Sequence, residues 1–155
     1  MWFMNKIANP LVGWILRSRL HTLLSASLLL IIYRGRKSGR EYRLPVQYAQ
    51  DGQRIFILPG QPEKKTWWRN FNDETPITLT LRGKTLGGQA RLLNPQADPQ
   101  ATQDGLAAYL RRFPALAKAH KVRTETDGTF NAGDIREAAA AVSIICVIIN
   151  EGSTP

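Results

Sequence analysis

Residues 28–58 read LLLIIYRGRKSGREYRLPVQYAQDGQRIFIL, three apolar or alternating runs joined by two glycine-bearing turns. "LLLIIYRG" (28–35) predicts one strand. "YRLPVQYA" (42–49) predicts a second, with Tyr42, Leu44, Val46 and Tyr48 on one face, because side chains alternate along a strand. Asp51-Gly52 supply the residue types of a tight hairpin, and "RIFIL" (54–58) follows as the third strand. The result is a β-meander whose first turn, "GRKSGR" (35–40), is densely cationic.

The strand pattern continues after a break. Pro59-Gly60-Gln61-Pro62 end the third strand, and "KKTWWRNF" (64–71) has no alternation and predicts a short helix. "ITLTLR" (77–82) alternates strictly, and "TLGGQARLL" (85–93) pairs back across Gly83-Lys84, with Gly87-Gly88 marking a bulge or a close backbone approach. Asp98-Pro99 open a helix with Leu106, Tyr109, Leu110 and Phe113 as its apolar stripe, and Pro114 stops it. A short helix over 115–121, a polar loop over 123–133, a helix over 134–141 and a last strand in "VSIICVII" (142–149) complete the chain. About six mostly antiparallel strands with helices added late predict an α+β fold built on a small barrel. The expected organisation is one domain, with barrel strands in 28–93 and 142–150 and a helical insertion over 98–141.

Residues 1–27 predict two short helices: Phe3, Ile7, Leu11, Trp14 and Ile15 fall at helical spacing, and Leu20, Leu23 and Leu24 repeat it. Arg17 and Arg19 interrupt the apolar segment, and the run over 23–33 is too short to span a bilayer. Two readings stay open for this segment: packing on the barrel, or peripheral membrane contact through Trp2, Phe3 and Trp14 with Lys6, Arg17 and Arg19.

Charge and composition narrow the function. The chain has 155 residues, 43% hydrophobic and 21% charged, an ordinary balance for a globular protein with one core. Its net charge is +9, and residues 1–95 hold 15 Lys/Arg against 5 Asp/Glu, so the basic surface belongs to the first part and attracts anions. The four tryptophans lie in apolar patterns rather than interleaved with cations on an exposed strand, which argues against a nucleic-acid partner. Cys146 is the only cysteine and lies in an apolar strand, so a reduced, cytoplasmic protein with an inert thiol is expected. His21 and His120 are far apart and form no spaced ligand cluster for a metal.

The cationic turn has the chemistry of an anion cradle. Gly35 and Gly39 let its backbone present N–H groups, Arg36 can grip oxygens in pairs, Lys37 adds a point charge and Ser38 donates a hydroxyl. A phosphate or carboxylate of a small molecule suits it.

"YRGRKSGREYRLPVQYAQDG" followed by "EKKTWWRN" resembles the deazaflavin-dependent nitroreductase family, flavin and deazaflavin oxidoreductases with an FMN-binding-like split β-barrel. The likeness spans residues 9–95, weakens through the helical segment and resumes at the last strand. It implies the 8-hydroxy-5-deazaflavin coenzyme F-420, which carries a phosphodiester and a tail of glutamates. Arg36, Lys37, Ser38 and Gly39 would then meet the phosphate and tail, with Arg40 and Arg43 toward the glutamates. Pro45, Val46 and Gln47 would pass beside the ring system, Lys65 and Thr66 would make a second anion contact, and Trp67, Trp68 and Asn70 would border the cofactor. The two tryptophans, adjacent on a helix, would face different ways, one toward the core.

The implied chemistry is hydride transfer from the reduced deazaflavin to a quinone, enone or nitro acceptor, with the reactive centre on the coenzyme. Tyr48 and Tyr109 are the candidate proton donors. FMN is the alternative ligand; it has a terminal phosphate but no glutamate tail and calls for fewer cations. A homodimer is an open partner, since small split barrels often pair.

Overall fold

The computed structural model describes residues 27–150, so the two helices expected within residues 1–27 lie outside them apart from the last residue. Seven strands form: β1 (Leu28–Arg34), β2 (Glu41–Gln47), β3 (Ala49–Asp51), β4 (Arg54–Ile57), β5 (Thr75–Leu81), β6 (Lys84–Leu92) and β7 (Ile145–Ile149). Every pairing is antiparallel, in the order β2-β1-β5-β6-β7-β4-β3.

β2 and β3 stand at opposite ends of that order, yet only Tyr48 separates them in the chain. The run predicted as one strand over 42–49 is therefore divided at Tyr48: its first part pairs with β1 and its second with β4. This raises the expected six strands to seven. It also obliges the sheet to curl until its two ends meet, the geometry of a split barrel.

Alternation sorts the side chains onto two cores. Leu29, Ile31 and Tyr33 of β1, Ile55 and Ile57 of β4, Ile77, Leu79 and Leu81 of β5, and Ile145 and Val147 of β7 fill the barrel. Ala49, Phe56 and Cys146 point the other way, under α1 (Pro99–Arg112), α2 (Leu116–Ala119) and α3 (Ala132–Ala141). Burial of both faces explains why "IICV" (144–147) is apolar without interruption. It also pushes the Cys146 thiol above its usual range, the reverse of what a reactive thiolate needs.

Asp98-Pro99 start α1 as the sequence indicates, with proline in the first turn. The helix expected over 115–121 shortens to Leu116–Ala119, and the one expected from 134 begins at Ala132. Asn131 explains the second difference: its side-chain oxygen accepts the Asp134 N–H at 3.0 Å and caps the helix earlier. Gly88 marks a close approach and not a bulge. The β5–β6 register runs unbroken through it, and a Cβ there would come within 2.9 Å of the Ile148 carbonyl oxygen. No helix among the described residues is long and apolar enough to cross a membrane.

Candidate functional site

The turn between β1 and β2 is closed by its own backbone. Gly35 N–H donates to the Arg40 carbonyl at 2.8 Å and Gly39 N–H to the Gly35 carbonyl at 2.9 Å, while Gly39 takes φ +67, where glycine alone is unstrained. The Arg34 guanidinium donates to the Gly39 carbonyl at 3.2 Å. The two glycines thus spend their own N–H groups inside the turn, so any backbone donors that the turn offers belong to other residues.

The Lys37 and Ser38 N–H groups have no partner among the described residues. The Arg36 N–H is used differently: it donates to the Asn70 side-chain oxygen at 2.8 Å. The Asn70 amide nitrogen in turn donates to the Trp67 carbonyl at 2.7 Å. Asn70 therefore ties the cationic turn to the aromatic segment, which forms a 3-10 helix over Trp67–Phe71 where a short helix was expected.

Aromatic contacts run beneath this tie. Tyr42 stacks on Tyr33 with ring centroids 5.6 Å apart, Tyr33 meets Phe71 edge-on at 5.1 Å, and Trp67 meets Phe71 at 6.3 Å. Trp67 and Trp68 are both half-buried against the barrel core, so the pair does not divide into one core residue and one exposed residue. The Trp68 indole donates to the Lys65 and Pro62 carbonyls, and the Arg69 guanidinium lies 5.3 Å from its ring centroid.

Arg36, Lys37, Arg40 and Lys65 are exposed, and none has an ion-pair partner among the described residues. Arg43 differs, since it pairs with Glu41 at 3.0 Å. That pair is half-exposed and binds weakly, so it can open to another anion at little cost. Thr66 is exposed and leads into the 3-10 helix without a side-chain cap hydrogen bond, which leaves its hydroxyl to other partners.

Along β2, Pro45 lies opposite Leu30, Val46 opposite Leu29 and Gln47 opposite Leu28. Val46 points into the barrel, Pro45 is half-buried and Gln47 is exposed. Proline fits here because β2 ends the strand order and its outer edge needs no ladder donor. Tyr48 and Tyr109 are not brought together. Tyr48 belongs to the barrel core and Tyr109 to the helix-covered core, and they are only 2% and 3% exposed. Burial pushes the Tyr109 phenol up to about 12.

Tyr33 and Tyr42 are the site residues that sequence reasoning missed. Their signal was the hairpin register, which sets them directly opposite each other across β1 and β2.

A sequence model of the family described as F420H(2)-dependent quinone reductase matches residues 17–112, more than half of the chain. The chain belongs to this family. The chain is thus a deazaflavin-dependent oxidoreductase, and the turn and the aromatic helix both lie inside the matched span.

Solved structures agree on the fold. The F420-H2 dependent reductase FDR-A superposes with a TM-score of 0.55 at 14% identity, covering 78% of this chain and 93% of that one. A protein from Bacteroides thetaiotaomicron, described in terms of 5-nitroimidazole antibiotic resistance, has a TM-score of 0.50 at 13% identity, with 86% and 79% covered. A domain-swapped dimer gives 0.51 at 13% identity, with 88% and 98% covered. At such identities the likeness is one of architecture, a curled antiparallel barrel with few helices. No curated protein matches the sequence of the reductase.

Proposed function

We propose that the Gly35–Arg40 turn seats the phosphodiester of coenzyme F-420, with the ring system between β2 and the 3-10 helix, and that the chain reduces quinones. One observation carries the reading. Among the described residues the Lys37 and Ser38 N–H groups have no partner, and the neighbouring cations Arg36, Lys37 and Arg40 form no ion pair. Backbone donors and cations combined in this way suit a phosphate, and further cations suit the carboxylates that follow it. The donor set therefore fits the group.

When bound, the reduced deazaflavin supplies a hydride to the acceptor. The chain's own residues bind, orient and exclude water. Arg36 offers a two-pronged contact, Lys37 a point charge and Ser38 a hydroxyl, with Arg40 and Arg43 placed for the glutamate tail. Gly39 lets the turn close beneath the phosphate. Pro45, Val46 and Gln47 flank the ring along β2, Lys65 and Thr66 make the second anion contact, and Trp67 and Trp68 keep water from that side. Asn70 holds the two halves in register. Tyr48 and Tyr109 are both buried, and hydride delivery itself asks no proton of them.

The reading is tested by anaerobic turnover: reduced coenzyme F-420 is mixed with the protein and a naphthoquinone, and return of the oxidised chromophore absorbance is followed. Saturable, quinone-dependent oxidation is expected, with a raised KM for the coenzyme in Arg36→Ala and Lys37→Ala. Oxidation no faster than in buffer, with quinone and nitro acceptors alike, contradicts it.

A quinone acceptor is apolar, and the segment 1–27 carries the aromatic and basic residues of a surface-lying helix. Peripheral membrane contact through it is part of the proposal. Co-sedimentation with anionic liposomes that disappears on deletion of residues 1–18 is the expected result; sedimentation unaffected by the deletion overturns it.

A further inference from the structure

Ser38 has one hydroxyl proton and two lone pairs on Oγ, and two groups of the hairpin lie within hydrogen-bond reach of that oxygen. The Arg40 N–H donates to Oγ at 3.3 Å, and the Tyr42 hydroxyl lies 3.1 Å from it, a contact in which either hydroxyl can be the donor. With Tyr42 as the donor, Ser38 accepts twice and its own proton is left for a ligand. Among the described residues, the neighbouring Lys37 and Ser38 N–H groups likewise have no partner. We infer that Tyr42 is a positioning residue for anion binding: its hydroxyl donates to Ser38 Oγ and so commits the Ser38 proton to the phosphate of the coenzyme.

The placement of Tyr42 is built into the hairpin. Its partner across the ladder is Tyr33, and the two rings stack at 5.6 Å with an interplanar angle of 22°. Tyr33 is only 5% exposed and is wedged edge-on against Phe71, so the lower ring is fixed and the upper one rests on it. Gly35 completes the seat. A Cβ on Gly35 would stand 2.6 Å from both Ser38 Oγ and Tyr42 Cε2, closer than real contacts allow. The turn thus gives up a side chain at Gly35 to bring these two hydroxyl groups together. A tyrosine kept only for packing would need the ring and no hydroxyl partner.

This role rests on the proposed coenzyme site, and its test separates the two. Binding of oxidised coenzyme F-420 is titrated by fluorescence beside the tail-less chromophore, 8-hydroxy-5-deazariboflavin, which lacks the phosphodiester. Tyr42→Phe keeps the stacked ring and removes the hydroxyl. It should weaken coenzyme F-420 by roughly tenfold, the scale of one hydrogen bond to a charged group, and leave the tail-less compound unchanged. Ser38→Ala should weaken the coenzyme at least as much, and adding Tyr42→Phe to it should cost nothing further, because Tyr42 acts through Ser38. A melting temperature of Tyr42→Phe equal to that of the unaltered chain would show that the loss is not one of folding.

Undiminished coenzyme binding in Tyr42→Phe, equal weakening of both compounds, or additive losses in the double variant overturns the positioning role alone. Failure of the unaltered chain to bind either compound overturns the coenzyme site itself, and the role of Tyr42 with it.

Discussion

The Arg36 backbone N–H donates to the Asn70 side-chain oxygen at 2.8 Å, joining residues 34 positions apart in sequence. One end of the Asn70 amide holds the cationic turn, and the other holds the Trp67 carbonyl at 2.7 Å. The two segments that carry the site chemistry are therefore fixed to each other before any ligand arrives, which lowers the ordering cost of binding.

Asn70→Ala should expose that economy. The Arg36 N–H is at the surface and can turn to water, so the loss of stability should be modest, about 1 kcal/mol in urea unfolding. Coenzyme affinity should fall several-fold in the same variant, because the turn must then be ordered during binding. Unaltered affinity would show that the tie plays no part in recognition.

Two glycines of the turn should respond in a fixed order. Gly35→Ala drives a methyl group into Ser38 and Tyr42 at 2.6 Å, and overpacking of this kind costs about 1–3 kcal/mol. Gly39→Ala meets no atom within 4 Å and suffers only the left-handed backbone at φ +67, about 1 kcal/mol. Chemical denaturation of both variants checks the ranking, and a more damaging Gly39→Ala would reverse it.

Lys37→Ala removes an exposed cation with no ion-pair partner among the described residues, so its effect should lie in binding and in salt dependence rather than in folding. Coenzyme F-420, with a phosphodiester and glutamates, should weaken much more than FMN, and its affinity should become less sensitive to added salt. Parallel titrations at two ionic strengths test this; equal losses for the two ligands would speak for a flavin site.

The buried phenols govern alkaline stability. Tyr33 is pushed up to about 12, chiefly by burial and then by the neighbouring Tyr42, and Tyr109 to about 12 by burial. An unfolded tyrosine ionises near 10, so the folded chain holds these protons more tightly than the unfolded chain does. That contribution is complete below about pH 10 and is lost as the pH rises toward about 12. Tyr109→Phe should flatten the fall of the urea midpoint across this window. A slope equal to that of the unaltered chain would contradict the assignment.

The strands were legible in the sequence because alternation in "ITLTLR" and the glycines of the two hairpins are local signals, but each turn lies one residue from the expected pair: the ladders close at Asp51–Arg54 and Leu81–Lys84, leaving Gly52-Gln53 and Arg82-Gly83 as the turns. Closure of the barrel at Tyr48 was not, because nothing within "YRLPVQYAQ" says that its two halves choose different neighbours. The start of α3 at Ala132 was missed by the reading that began the helix at 134, although Asn131, a capping residue three positions before an aspartate, carries its signal. The cationic turn and the aromatic segment were each visible, but Asn70 read as a ligand contact. Only the tertiary fold shows both ends of its amide taken by the protein. Tyr42 was read as one of an alternating face, and its link to Ser38 depends on the hairpin register and on the missing Cβ of Gly35.

The most direct test of the central claim is a fluorescence titration of the purified chain with oxidised coenzyme F-420, beside FMN and single-stranded DNA at one moderate salt concentration. Saturable binding of coenzyme F-420, weakened by Lys37→Ala, is the predicted result. No binding of coenzyme F-420, with FMN or DNA bound in its place, would leave the split barrel standing and contradict the assigned site.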